Sequence, residues 1–181
     1  MNALAVSTSV LLLFSCPAFA APAAAADNKP APAAKAEVQE FPLMFKGRQI
    51  VISRLAKRAE LEPALTKLLG AKTGMEDKSV LQYDVRLDPK EGPMTAVFSW
   101  SKKGELTQVA LDAFAASQNP PAKELKRWLL KNAGSGKTTK NKQAETTTIT
   151  WNHRGWHFVF TEGGDGEDST YSFEITPLKT S

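Results

Sequence analysis

The sequence has 181 residues, with 23 Lys or Arg against 19 Asp or Glu, a formal net charge of +4 and a single cysteine. So small a positive excess does not argue for nucleic acid, and one cysteine rules out an intrachain disulfide. The apolar run at the start stops at Pro17, short of the roughly 20 residues a membrane span needs.

Residues 1–20 carry no charged side chain. Ala3 to Phe14 are mostly apolar, Pro17 breaks any helix, and Ala18-Phe19-Ala20 has the small-x-small form that signal peptidases read. The expectation is a signal peptide over 1–20, cleaved after Ala20. A competing reading takes Leu13-Phe14-Ser15-Cys16 as a lipid-anchoring motif at Cys16. It is the weaker one, because Phe14 is bulky where that motif takes a small or β-branched residue. Residues 21–39 are dominated by Ala and Pro and have almost nothing large to bury, so they read as a disordered linker. A single globular domain is expected over 40–181, which is ordinary domain size.

Within that domain, Gln49-Ile50-Val51-Ile52 reads as a strand. Leu61, Ala64, Leu65, Leu68 and Leu69 then form a helical stripe, with Pro63 expected in the helix's first turn and Gly70 at its end. Leu81, Tyr83, Val85 and Leu87 alternate, as do Ala96, Phe98 and Trp100, and then Val109 and Leu111. Asn119 is placed to cap a second helix begun by Pro120 and Pro121. Its stripe is Ala122, Leu125, Trp128 and Leu129, and Gly134 ends it. Ile149 and Trp151, then Trp156, Phe158 and Phe160, then Tyr171, Phe173 and Ile175 keep strict period two, the mark of half-buried antiparallel sheet.

Glu60-Leu61, Leu65, Lys67 and Gly70 match Glu124-Leu125, Leu129, Lys131 and Gly134 at a constant offset of 64. The fold expected is therefore α+β. It has an antiparallel sheet with two amphipathic helices on one face, arranged as a tandem β-α-β-β repeat (43–101 and 105–161) plus a final strand. In outline this resembles the tandem helix-plus-sheet units of the β-lactamase inhibitor proteins, with which the chain shares no motif. All four tryptophans fall on the side the pattern buries.

Most chemical motifs fail on spacing. Gly134-Ser135-Gly136-Lys137-Thr138 lacks the earlier glycine of a phosphate loop and follows a helix, so it reads as a helix end and a flexible basic loop. His153 and His157 are the only histidines, and no third ligand stands near them, so no metal site is expected. Glu162, Asp165, Glu167 and Asp168 read as a solvated turn without calcium-loop spacing. No set of nucleophile, base and orienting partner is visible, so no catalytic residue and no cofactor is assigned.

Two surfaces remain. The strand positions opposite the core, Val97, Ser99, Thr148, Thr150, His157 and Val159, form a mixed face able to receive a partner. A basic strip collects Lys123, Lys126, Arg127, Lys131 and Lys137. The leading expectation is a non-catalytic protein exported to the periplasm or secreted, binding another envelope or extracellular protein as an inhibitor, immunity protein or assembly factor. The alternatives are an envelope hydrolase acting on glycan through paired carboxylates, and a structural or anionic-lipid-associating protein using the basic strip.

Overall fold

The alternating runs become strands and the leucine stripes become helices in a computed structural model that describes residues 39–90, 92–164 and 170–178. The expected signal, Cys16 and the linker up to residue 38 lie outside the described residues, as do Asp165, Glu167 and Asp168. In chain order the elements are β1 (Glu40–Phe45), β2 (Arg48–Ser53), α1 (Arg58–Leu69), β3 (Thr73–Asp77), β4 (Val80–Val85) and β5 (Met94–Trp100). They continue with β6 (Leu106–Asp112), α2 (Pro120–Ala133), β7 (Lys137–Asn141), β8 (Thr146–His153), β9 (Trp156–Gly163) and β10 (Thr170–Pro177).

The fold is α+β and mostly antiparallel. Eight strands form one sheet in the order β3-β4-β5-β6-β10-β9-β8-β7, while β1 and β2 make a separate hairpin. The repeating order runs one strand later than the grouping 43–101 and 105–161 expected from the pattern. A helix followed by four strands occurs twice, as α1-β3-β4-β5-β6 and α2-β7-β8-β9-β10, and the two sets meet where β6 pairs with β10. The expected final strand is thus the counterpart of β6. Thr73 and Lys137, which begin β3 and β7, stand 64 residues apart, like the two helices.

Register puts the core side chains on one face. Leu81 opposes Phe98, Phe98 opposes Val109, Val109 opposes Ile175, Ile175 opposes Phe158, and Phe158 opposes Trp151. All six are buried. That face is covered by a second layer in which β2 packs beside α1 and β1 beside α2. Phe41 of β1 reaches the sheet and meets Trp156 edge-on at 5.1 Å and Phe158 at 5.5 Å. The hairpin therefore fills the gap between the helices, a role the pattern reading left unassigned.

Three local expectations change. Pro63 sits in the second turn of α1, because the helix starts at Arg58, where the Glu60 carboxylate accepts the Lys57 N–H at 3.2 Å. The ring leaves the Ala59 carbonyl without its helical donor, a loss offset by water because Ala59 is exposed. The stretch after Gly134, expected to be a flexible loop, is the edge strand β7, paired along its length with β8. Gly136 makes that possible: a β-carbon there would lie 2.6 Å from the Trp151 indole nitrogen, and its φ is +71°. Trp128 is half-buried at the rim, against His153 at 5.4 Å with the Arg154 guanidinium 5.8 Å from its ring. Trp100, Trp151 and Trp156 are buried as the pattern requires.

Asn119 ties the helix layer to the centre of the sheet. It is the one fully buried polar side chain among the described residues. Its Oδ1 accepts the Ala122 N–H at 3.1 Å and caps α2. Its Nδ2 donates to the carbonyls of Leu111 at 3.0 Å and Tyr171 at 2.9 Å, at the ends of β6 and β10. Both of its N–H donors and one lone pair of its oxygen are used where the two halves meet. Asn119→Ala should cost roughly 2–4 kcal/mol in urea unfolding, through the lost cap and the buried Tyr171 carbonyl left without its donor. Asn119→Asp should cost at least as much, since it keeps the cap but turns an acceptor toward both carbonyls. An Asp variant as stable as the parent protein would contradict this.

Candidate functional site: the open face of the sheet

The same alternation that fills the core leaves every second side chain of eight strands on the other face, which no described element covers. All six face residues singled out from the sequence lie there, half-buried among their neighbours: Val97 and Ser99 on β5, Thr148 and Thr150 on β8, and His157 and Val159 on β9. The structure joins some of them through residues the sequence did not reveal. One row crosses seven strands: Gln82, Val97, Ala110, Glu174, Val159, Thr150 and Lys137, each opposite the next. Ser99 opposes Gln108, and Thr148 opposes Thr161 with their hydroxyls 3.4 Å apart.

The middle of the face belongs to β6 and β10. Gln108, Ala110, Asp112, Ser172 and Glu174 line a shallow depression of about 250 Å³ with Val159 and Thr161. Gln108 donates to Glu174 at 3.1 Å. Desolvation and then the neighbouring Glu174 charge push the Asp112 carboxyl above its ordinary value. Asp84, further along the face, behaves oppositely. Burial pushes it up, but the nearby Thr73 side chain, hydrogen bonds from Thr95 and Gln82 and the charge of Arg86 hold it below its usual range. The Thr95 hydroxyl donates to it at 2.9 Å.

The basic strip is divided. Lys126 turns inward, pairs with Glu162 at 2.8 Å and lies 4.1 Å from the centre of the Phe160 ring. Arg127 pairs with Glu124 on the helix surface at 2.5 Å. Lys123 and Lys131 are exposed on α2, while Lys137 ends the seven-strand row on β7. The five residues therefore make no single patch. The histidines are divided too: His153 faces the helix layer beside Trp128, while His157 faces outward with its Nδ1 2.7 Å from Asn152 Oδ1. One ion cannot take both. Among the described residues no three His, Cys, Asp or Glu side chains converge as metal ligands, and no helix is long and apolar enough to cross a membrane.

No protein-family profile matches this sequence, and comparison with curated proteins gives no match. Among solved structures, the chain is similar to a DUF4309 family protein, YjgB, from Bacillus subtilis. The identity is 10%, the match covers 68% of this chain and 82% of that one, and the TM-score is 0.38. A superposition this loose carries no argument about function.

The raised Asp112 carboxyl has a direct consequence. A carboxylate whose folded pKa lies above its unfolded value destabilises the fold where it is ionised, and the penalty disappears once pH falls below the unfolded value. Asp112 is exposed at the edge of the depression and partly screened by solvent, so Asp112→Asn should raise the melting temperature at pH 7 only slightly, with a gain that vanishes below roughly pH 4. Thermal melts of both proteins across this range check it. A gain that persists undiminished at low pH would point to packing instead.

Proposed function

We propose that this chain is an exported, non-catalytic binding protein of the cell envelope, and that it holds another protein against the open face of its eight-stranded sheet. The observation that carries this reading is the seven-strand row. Small and aliphatic side chains (Val97, Ala110, Val159) alternate along it with polar ones, Glu174 at its centre between Ala110 and Val159, and Gln82, Thr150 and Lys137 toward its ends. A continuous face that mixes small apolar with polar side chains has the composition of a non-obligate protein interface. The backbone beneath is held by ladders on both sides, so the surface is rigid and little ordering entropy is lost on binding. Export rests on the pattern of residues 1–20, and the linker of residues 21–39 would let a tethered domain reach its partner. An inhibitor, an immunity protein or an assembly factor would each use such a surface.

The hydrolase reading has one point in its favour, the juxtaposed Asp112 and Glu174. A glycan hydrolase needs two carboxyl groups across a bound sugar and walls that exclude water around it. A depression of about 250 Å³ on an open sheet offers little of that enclosure. The lipid-surface reading loses Lys126 to its bond with Glu162.

The test uses the chain as bait in envelope extract, beside Val159→Arg and Val97→Arg variants. These add bulk and charge to a face outside the core, so each should unfold within about 1 kcal/mol of the parent. Both should lose the captured protein, while Lys131→Glu on the helix side keeps it. Capture unaffected by either face variant would overturn the proposal.

A further inference from the structure

On the helix side, away from the open face, one charged residue sits where the pattern demands an apolar one. Arg48, Ile50 and Ile52 share a row of β2, opposite Phe45, Leu43 and Phe41, and all three of those β1 residues are buried. Ile52 is fully buried, Ile50 half-buried and Arg48 exposed. The inward row therefore runs out from the core into open space at the hairpin tip. That space is a cleft of about 490 Å³ between β2 and α1, lined by Arg48, Gln49, Ile50, Ala64, Lys67 and Leu68. Its floor is aliphatic and its rim carries two cations. Among the described residues neither Arg48 nor Lys67 has a carboxylate partner. Arg48 makes one long hydrogen bond, from Nη1 to the Lys67 carbonyl at 3.4 Å in the last turn of α1.

We propose that this cleft binds a free single-chain anionic amphiphile, an alkyl carboxylate of the fatty-acid kind. Its head would sit between Arg48 and Lys67, and its tail over Ile50, Ala64 and Leu68. The volume is in the usual range for small-molecule sites, and an apolar lining with a few convergent polar groups is their usual character. Arg48 supplies the fork geometry that pairs with a carboxylate on two bonds, and Lys67 a point charge beside it. The tail supplies apolar area to a floor that the protein itself leaves uncovered. A second cleft of about 480 Å³ on the other side of the hairpin tip shares Arg48 and Gln49 and is lined also by Lys46 and Glu124, so its rim mixes both charges where the first carries cations alone.

The site is independent of the open face, so its test does not depend on finding the protein partner. Laurate, below its micelle concentration, is titrated into the purified chain by calorimetry, beside acetate and dodecyltrimethylammonium. Laurate should bind one saturable site, and neither control should bind. Arg48→Gln should weaken laurate about tenfold. Ala64→Met, which fills the floor without touching charge, should weaken it as well and reads the site if the arginine variant folds poorly. Lys131→Gln should change nothing. The proposal is overturned by absent or non-saturable laurate binding, by affinity that neither cleft variant alters, or by equal binding of the cationic amphiphile. Binding to phosphatidylglycerol vesicles without binding to free laurate would overturn it too, by making the cations a membrane contact.

Discussion

Successive side chains of a strand point to opposite faces, so a sheet that buries one row must display the next. Six neighbouring strands in this protein share a single alternation, from Leu81 on β4 through Phe98, Val109, Ile175 and Phe158 to Trp151 on β8. The covered face and the open face are therefore one constraint seen from two sides. A one-residue shift in any central strand would take its aromatic residues out of the core and insert threonines, glutamates or glutamines in their place. The bulge between Ser99 and Trp100 absorbs one irregularity, letting Trp100 stay buried and donate its indole N–H to the Ala56 carbonyl at 3.0 Å.

The covering layer meets that face at a few specific points. Asn119 fixes the start of α2 to the junction of β6 and β10, where residues distant in sequence are brought side by side. Each half also has an aromatic on its second strand that bonds to its helix or the helix's end. The Tyr83 hydroxyl lies 3.3 Å from Thr66 Oγ1 on α1, and the Trp151 indole donates to the Gly134 carbonyl at 2.8 Å. Between the helices, the hairpin turns at Lys46-Gly47 with both φ angles positive, the geometry of a tight two-residue hairpin. Its inner row fills the gap as far as Ile52 and leaves it open at Arg48, so the anchoring of the core and the amphiphile cleft come from one short strand.

The sheet's strong elements were legible because aromatic and branched residues at period two have few other uses. The helices were legible from leucine stripes and from Asn119, Gly70 and Gly134 at their ends. The edge strands β3 and β7 were not. Lys137 to Asn141 are all exposed, so no apolar row marks them, and lysines at such an edge also discourage pairing with other chains. The strand β1 was obscured by Pro42, which argues against a central strand but fits a two-stranded hairpin. Of the open face, the half-rows on β5, β8 and β9 could be read from local alternation. Asp112, Glu174 and Ala110 could not, because their meeting depends on β6 pairing with β10 across some 60 residues. Their signal was present only as positions out of phase with Val109, Leu111 and Phe173. Lys126 shows the opposite failure: it counted as surface charge, and in the fold it caps Phe160 and pairs with Glu162.

Two adjacent residues separate the faces most directly. Trp156 is fully buried against Phe41, while His157 faces out beside Asn152. Urea unfolding of Trp156→Ala and His157→Arg, measured side by side, tests whether the sheet is oriented as described. The account predicts a loss of roughly 3–5 kcal/mol for the first and less than about 0.5 kcal/mol for the second. A Trp156→Ala protein of unchanged stability beside an unfolded His157→Arg protein would mean that the aromatic row is the exposed surface and that the sheet has been assigned inside out.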